Sequence, residues 1–128
     1  MEKKITATAA LFGMIAIILG AFGAHALKNA LTPEHLSAFE TGVKYQMYHA
    51  LFLLFIGLSN SVSEKAKKTI YYLTTIGIIF FSGSIYLLST ADITGINFKP
   101  FGIVTPIGGL LLIVAWFCLF IDFYKKKS

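Results

Sequence analysis

The sequence contains no arginine, a single cysteine (Cys118), three prolines and only six acidic residues among 128. Without arginine the chain has no planar fork for gripping phosphate or carboxylate in a bidentate way. Its eleven lysines are mobile point charges suited to phospholipid headgroups, and the formal charge of +5 does not make a nucleic-acid-binding domain. A lone cysteine excludes a disulfide-stapled secreted scaffold. Apolar side chains, by contrast, are abundant: 56% of residues are hydrophobic and 13% charged, more apolar surface than a soluble domain of this size can cover. That excludes a cytosolic enzyme. Four membrane crossings of about 20 residues each would use about 80 positions and leave no room for a separate soluble domain. Residues 1–128 therefore read as a single transmembrane domain.

Apolar stretches fall at residues 5–27, 43–60, 69–90 and 103–123. The second is the weak one. Its strictly apolar run, Ala50 to Leu58, reaches bilayer length only by taking in Tyr45, Gln46, Tyr48 and His49. The first imitates a signal peptide, with Lys3 and Lys4 ahead of an apolar run and Ala24-His25-Ala26 in small-x-small form. The run exceeds the usual h-region and three more hydrophobic segments follow, so it reads as a retained helix. With four crossings and the N-terminus inside, Lys3, Lys4, Lys65, Lys67, Lys68, Lys125, Lys126 and Lys127 are cytoplasmic, against Lys28, Lys44 and Lys99 outside. A three-crossing arrangement, with the N-terminus outside and the second segment on the surface, gives the same imbalance. Four crossings are preferred because Lys3 and Lys4 hold the first helix start inside, and Leu51-Phe52-Leu53-Leu54-Phe55-Ile56 leaves no polar face for an interfacial helix. The expected fold is all-α: an integral membrane four-helix bundle, multi-pass in the plasma membrane, with cytoplasmic N- and C-termini.

Thr32-Pro33-Glu34 predicts a helix start, with Thr32 as N-cap, Pro33 at the first helical position and Glu34 at the positive dipole end. Leu36, Phe39, Val43, Met47, Ala50 and Leu54 then form one stripe, making an amphipathic lead-in to the second span, with Glu40 and Lys44 paired at i,i+4 on the opposite side. In the first span Gly13, Gly20 and Ala24 belong to a strip of small residues that lets another helix approach closely. Ser82-Gly83-Ser84 in the third span and Gly108-Gly109 in the fourth allow the same, and Thr105-Pro106 repeats the cap logic of Thr32-Pro33. Expected partners are membrane lipids and, through these small-residue faces, a homo-oligomer; no nucleic acid is expected.

His25 ends the first span and His49 lies in the second, so both are placed near the outer boundary, where they can meet. With Gln46, and with Glu40 and Lys44 nearby, they form the candidate polar cluster. Its preferred use is interhelical hydrogen bonding. The alternative is a haem iron, or a metal held with Glu34, Glu40 or His35, but no spacing is diagnostic and no cofactor or metal is expected. No nucleophile has a base at an interpretable spacing, no glycine-rich phosphate loop occurs, and Cys118 sits in an apolar helix. Catalysis is not expected. The carboxylates lie outside the span cores, which disfavours a proton-coupled antiporter.

Gly20-Ala21-Phe22-Gly23-Ala24-His25, Tyr45-Gln46-Met47-Tyr48-His49, Phe81-Ser82-Gly83-Ser84-Ile85-Tyr86 and Thr105-Pro106-Ile107-Gly108-Gly109 occur in that order. Together they make the chain resemble the domain-of-unknown-function 423 family of small bacterial membrane proteins. The resemblance covers nearly the whole chain and implies a multi-pass, four-helix plasma-membrane protein without an established activity. It supplies no catalytic residue. The expected function is thus non-enzymatic, in membrane organisation or stability. A small channel or carrier bordered by His25, Gln46 and His49 is the alternative, and a haem or metal protein the lower one.

Overall fold

The computed structural model describes residues 1–125; Lys126 and Lys127, counted above in the basic flank, lie outside the described residues. The described residues form five helices and no strand: α1 (Glu2–Leu27), α2 (Pro33–Leu58), α3 (Glu64–Ser89), the single turn α4 (Ala91–Thr94) and α5 (Val104–Tyr124). The expected helix count was four; the extra one is α4, which Gly95 ends in the left-handed region at φ 72°. A 3-10 turn, Lys99–Phe101, leads into α5. Glu2–Leu27, Glu64–Ser89 and Lys99–Tyr124 are long and apolar enough to cross a membrane.

At the start of α2, Thr32 Oγ1 accepts from the His35 N–H at 3.2 Å and Pro33 occupies the first turn, as the sequence dictates. The lead-in and the second apolar stretch form one unbroken helix of 26 residues, which is not among those three; at about 39 Å it exceeds a hydrocarbon core of about 30 Å. Its shortage is of apolarity, not of length. The Thr105 cap does not form: α5 begins at Val104 with Ile103 in the cap position and no side-chain cap, so Thr105 lies inside the helix, where its hydroxyl is hydrogen-bonded to Ser84 Oγ on α3.

The long helices alternate in direction. Along α1 and α2, Thr6 lies against Gly57, Gly13 against Ala50, Gly20 against Val43 and Gly23 against Phe39. The first three contacts recur every seven residues, the spacing at which left-handed antiparallel pairs keep one seam in register. The small-residue strip of α1 is therefore covered by α2 of the same chain. On α3 and α5, Ser84 meets Thr105, Phe81 meets Gly108 and Gly77 meets Leu112, while Ser63 caps onto Asp122. Helix α2 also reaches α5 through Phe52 against Trp116, ring centroids 4.0 Å apart.

Two apolar clusters fill the interior. The larger, including Ile5, Leu53, Ile56, Ile70 and Ala115, occupies the end holding the chain's N-terminus; Leu27, Leu31 and Phe39 fill the other. Outward, Ile17, Leu51, Ile79, Ile113 and Phe117 are exposed on four different helices. A continuous apolar exterior of this kind is suited to lipid and would aggregate in water.

Candidate functional site

The inward face of α2 takes in part of the apolar stripe read in the sequence and adds polar positions to it. Phe39 and Ala50 of that stripe are buried and Leu54 is exposed; buried beside them, at the same spacing of three and four, are Gly42, Gln46, His49, Leu53 and Ile56. In hydrocarbon the solvent-facing logic reverses. Leucine is at home against lipid, and the groups that need hydrogen-bond partners turn toward other helices.

Gln46 is only 3% exposed and spans three helices. A backbone carbonyl can only accept, so the amide orientation is fixed: Nε2 donates to Phe12 O on α1 at 2.8 Å, and Oε1 accepts from the Tyr86 hydroxyl on α3 at 2.6 Å. Ser82, one turn before Tyr86, donates to Gly42 O on α2 at 2.7 Å. Gly42 has no room for a side chain, since a Cβ there would lie 2.8 Å from Tyr86 Cε1. Ile79–Gly83 is a π-helical turn, and it carries Ser82 into this contact.

His49 ties α2 to α5. The Trp116 indole N–H is only a donor, so His49 Nε2 accepts from it at 3.1 Å; His49 Nδ1, 2.7 Å from Tyr45 O, therefore carries the proton and donates it to that carbonyl. The ring is a neutral imidazole with both nitrogens engaged. Phe52 and Trp116 pack edge-on against it, at centroid distances of 6.0 and 6.2 Å.

The other candidate residues lie elsewhere. His49 is level with Gly13 through the adjoining Ala50, so His25 is twelve residues further along α1, about 18 Å by helical rise, and the two imidazoles do not meet. His25 is exposed in a second π-helical turn, Gly23–Leu27. Glu40 and Lys44 are exposed on α2, and no ion pair joins them among the described residues. With Gly20, Gly23, Ala24 and Phe39 they line an open groove of about 280 Å³. Ser82, Ser84 and Gly108 sit in helix contacts; Gly109 makes ordinary contact with Phe81, and Gly83 has open space beside it. Among the described residues no three His, Cys, Asp or Glu side chains are gathered for a metal.

Tyr86, Trp116 and the Phe12 carbonyl were not identified as site groups from the sequence. For Tyr86 a signal existed, since Ser82 and Tyr86 are i,i+4 and share a helix face. Also unforeseen is Lys67, which is 1% exposed, with Nζ 2.9 Å from Glu2 Oε1 and 4.0 Å from Glu64 Oε1. Glu2 precedes the apolar stretch that begins at Ile5. The Lys67 hydrogen bond and charge hold its carboxyl below the ordinary value of 4.5. An unfolded chain then binds a proton that the folded one releases, so this contribution to stability is full above about pH 4.5 and is lost as pH falls through the depressed value. Thermal unfolding in detergent should show the wild type more stable than Glu2→Gln at pH 7, with the difference vanishing in acid. A difference independent of pH would contradict the pairing.

The family described as "Protein of unknown function (DUF423)" matches residues 19–109. The UPF0382 membrane protein of Staphylococcus saprophyticus is 44% identical over 116 residues, covering 91% of this chain and 92% of that one. Those of Haemophilus influenzae and Bacillus subtilis are 36% identical over 128 residues (100% and 99% covered) and 37% over 118 (91% and 92%). No solved structure matches. Family profile and relatives agree with the apolar exterior and the long apolar helices: the chain belongs to the DUF423 family of multi-pass membrane proteins.

Proposed function

We propose that the chain is a four-crossing bundle of α1, α2, α3 and α5 in the plasma membrane, with N- and C-termini cytoplasmic, acting non-enzymatically in membrane organisation or stability. The observation that carries this reading is the use made of polarity in the bundle. The side chains of Gln46, His49, Ser82, Tyr86 and Trp116 are committed to one another and to backbone carbonyls, joining all four helices. Such bonds drive helix association where no hydrophobic effect operates between helices. Four crossings are further supported by the 2.9 Å contact of Glu2 with Lys67, because a surface-lying α2 would leave these residues on opposite sides of the membrane. The lysine-rich end, with Lys3, Lys4, Lys65, Lys67, Lys68 and Lys125, is then the cytoplasmic one. Since α2 covers the small-residue strip of α1, self-association uses the outward faces instead.

Cells lacking the chain should admit a membrane-impermeant dye faster than the parent, and the wild-type chain should restore the barrier. Unchanged dye entry contradicts the reading. So does solute flux in liposomes that disappears in His49→Ala, which would establish the carrier alternative instead.

A further inference from the structure

At the lysine-rich end, the first turns of α3 and the last turns of α5 line an open groove of about 400 Å³. Its rim carries Lys65 and Lys125, and its wall is formed by Phe117, Cys118 and Ile121. The one carboxylate in the lining, Asp122, is occupied: its Oδ1 accepts from Ser63 Oγ at 2.7 Å and its Oδ2 from the Ser63 N–H at 3.0 Å. That carboxylate keeps its charge, and the two ammonium groups outnumber it, which leaves the rim net positive. The other acid nearby, Glu64, is turned toward Lys67, 4.0 Å away. Below the rim the wall runs into the apolar exterior of α5, where Phe117 and Phe120 are exposed.

A positive rim over an apolar wall continuous with the lipid-facing surface matches a molecule with an anionic head and hydrocarbon tails. We propose that this groove binds an anionic phospholipid, its phosphate between the Lys65 and Lys125 ammonium groups and an acyl chain along Phe117, Cys118 and Ile121. A free anion would gain nothing from the wall, and a zwitterionic lipid brings its own cation to the lysines. The site deepens the proposed role in membrane organisation, but it requires only that this end lie at a membrane surface, whichever side that is.

Cys118, the chain's only cysteine and half-buried in the groove wall, is a built-in reporter. The full chain is placed in phosphatidylcholine nanodiscs with rising fractions of phosphatidylglycerol, and N-ethylmaleimide alkylation is followed by intact mass. Phosphatidylglycerol should slow alkylation several-fold. Lys65→Gln or Lys125→Gln should each raise the fraction needed for half-protection about fivefold. Both lysines are exposed, so the variants should fold, which unchanged Trp116 emission verifies. Inorganic phosphate added to phosphatidylcholine nanodiscs should not protect. Native mass spectra of the same samples should show about one retained phosphatidylglycerol per chain and loss of that retention in the double variant. Equal protection in the double variant, equal protection by inorganic phosphate, or no preference for retained phosphatidylglycerol over phosphatidylcholine would each overturn the proposal. None of these outcomes depends on sidedness, so the topology can fail while the site stands, or the reverse.

Discussion

Gly108→Val is expected to prise α5 from α3 and to lower the free energy of unfolding by about 3 kcal/mol or more, the upper range for overpacking. The reason is what the new atoms would strike. A Cβ at Gly108 would lie 2.8 Å from the carbonyl carbon of Phe80 and would also overlap the Phe81 amide, and backbone cannot swing aside as a side-chain tip can. Two neighbouring glycines serve as controls. At Gly109 a Cβ would be 3.5 Å from Phe81 Cδ1, an ordinary contact, so Gly109→Ala should be nearly neutral. At Gly83 nothing lies within 4 Å and the backbone is helical, so Gly83→Ala should be tolerated or stabilise by up to about 1 kcal/mol. Thermal unfolding in detergent, read by circular dichroism, ranks the three. A Gly108→Val chain as stable as wild type would mean that α3 and α5 are not packed backbone to backbone.

The second large effect is at Gln46. Gln46→Leu removes the donor to Phe12 O and leaves the Tyr86 hydroxyl without its acceptor, for an expected cost of about 2 kcal/mol. Tyr86→Phe alone should cost about 1 kcal/mol, since one arm of Gln46 keeps its partner. Because the two share a bond, the double variant should be little worse than Gln46→Leu, with a coupling of about 1 kcal/mol. The measurement separates two views of an intramembrane amide. A glutamine holding helices together couples to Tyr86, whereas one lining a solute path would be replaced by leucine at little cost in stability and without coupling.

The sequence patterns that repeat along one element were readable. Thr32-Pro33 announced the start of α2, and the strip at Gly13 and Gly20 announced a close helix partner, because capping and small-residue spacing are local properties. What lay between elements was not readable. The register of α1 on α2 decides that His49 stands beside Gly13, far from His25; the offset follows only when His49 is counted from the helix start at Pro33, not from the apolar stretch at residue 43. Trp116 lies within an apolar run, and nothing in that run marks the His49 ring that accepts from its N–H. The stripe on α2 is incomplete for a different reason: its Phe39, Val43 and Ala50 do face α1, but the polar part of the inward face is missing from it. Helical periodicity in water separates apolar from polar, but beside lipid both faces carry apolar residues, and the inward face is marked by Gly42, Gln46 and His49. Lys67 shows the same limit at the membrane edge, where one lysine in a basic cluster is buried because Glu2 reaches it from another helix.

The four-crossing arrangement is tested most directly by thiol labelling in intact cells. In a Cys118→Ser background, Asn29→Cys, in the turn between α1 and α2, is predicted to react with a membrane-impermeant maleimide. Ser61→Cys, in the turn between α2 and α3, should react only after the cells are opened. Both native residues are exposed, so reactivity reports sidedness. An Asn29→Cys chain that stays unlabelled until the cells are opened would contradict the account, because α1 would then not carry the chain outward from a cytoplasmic N-terminus.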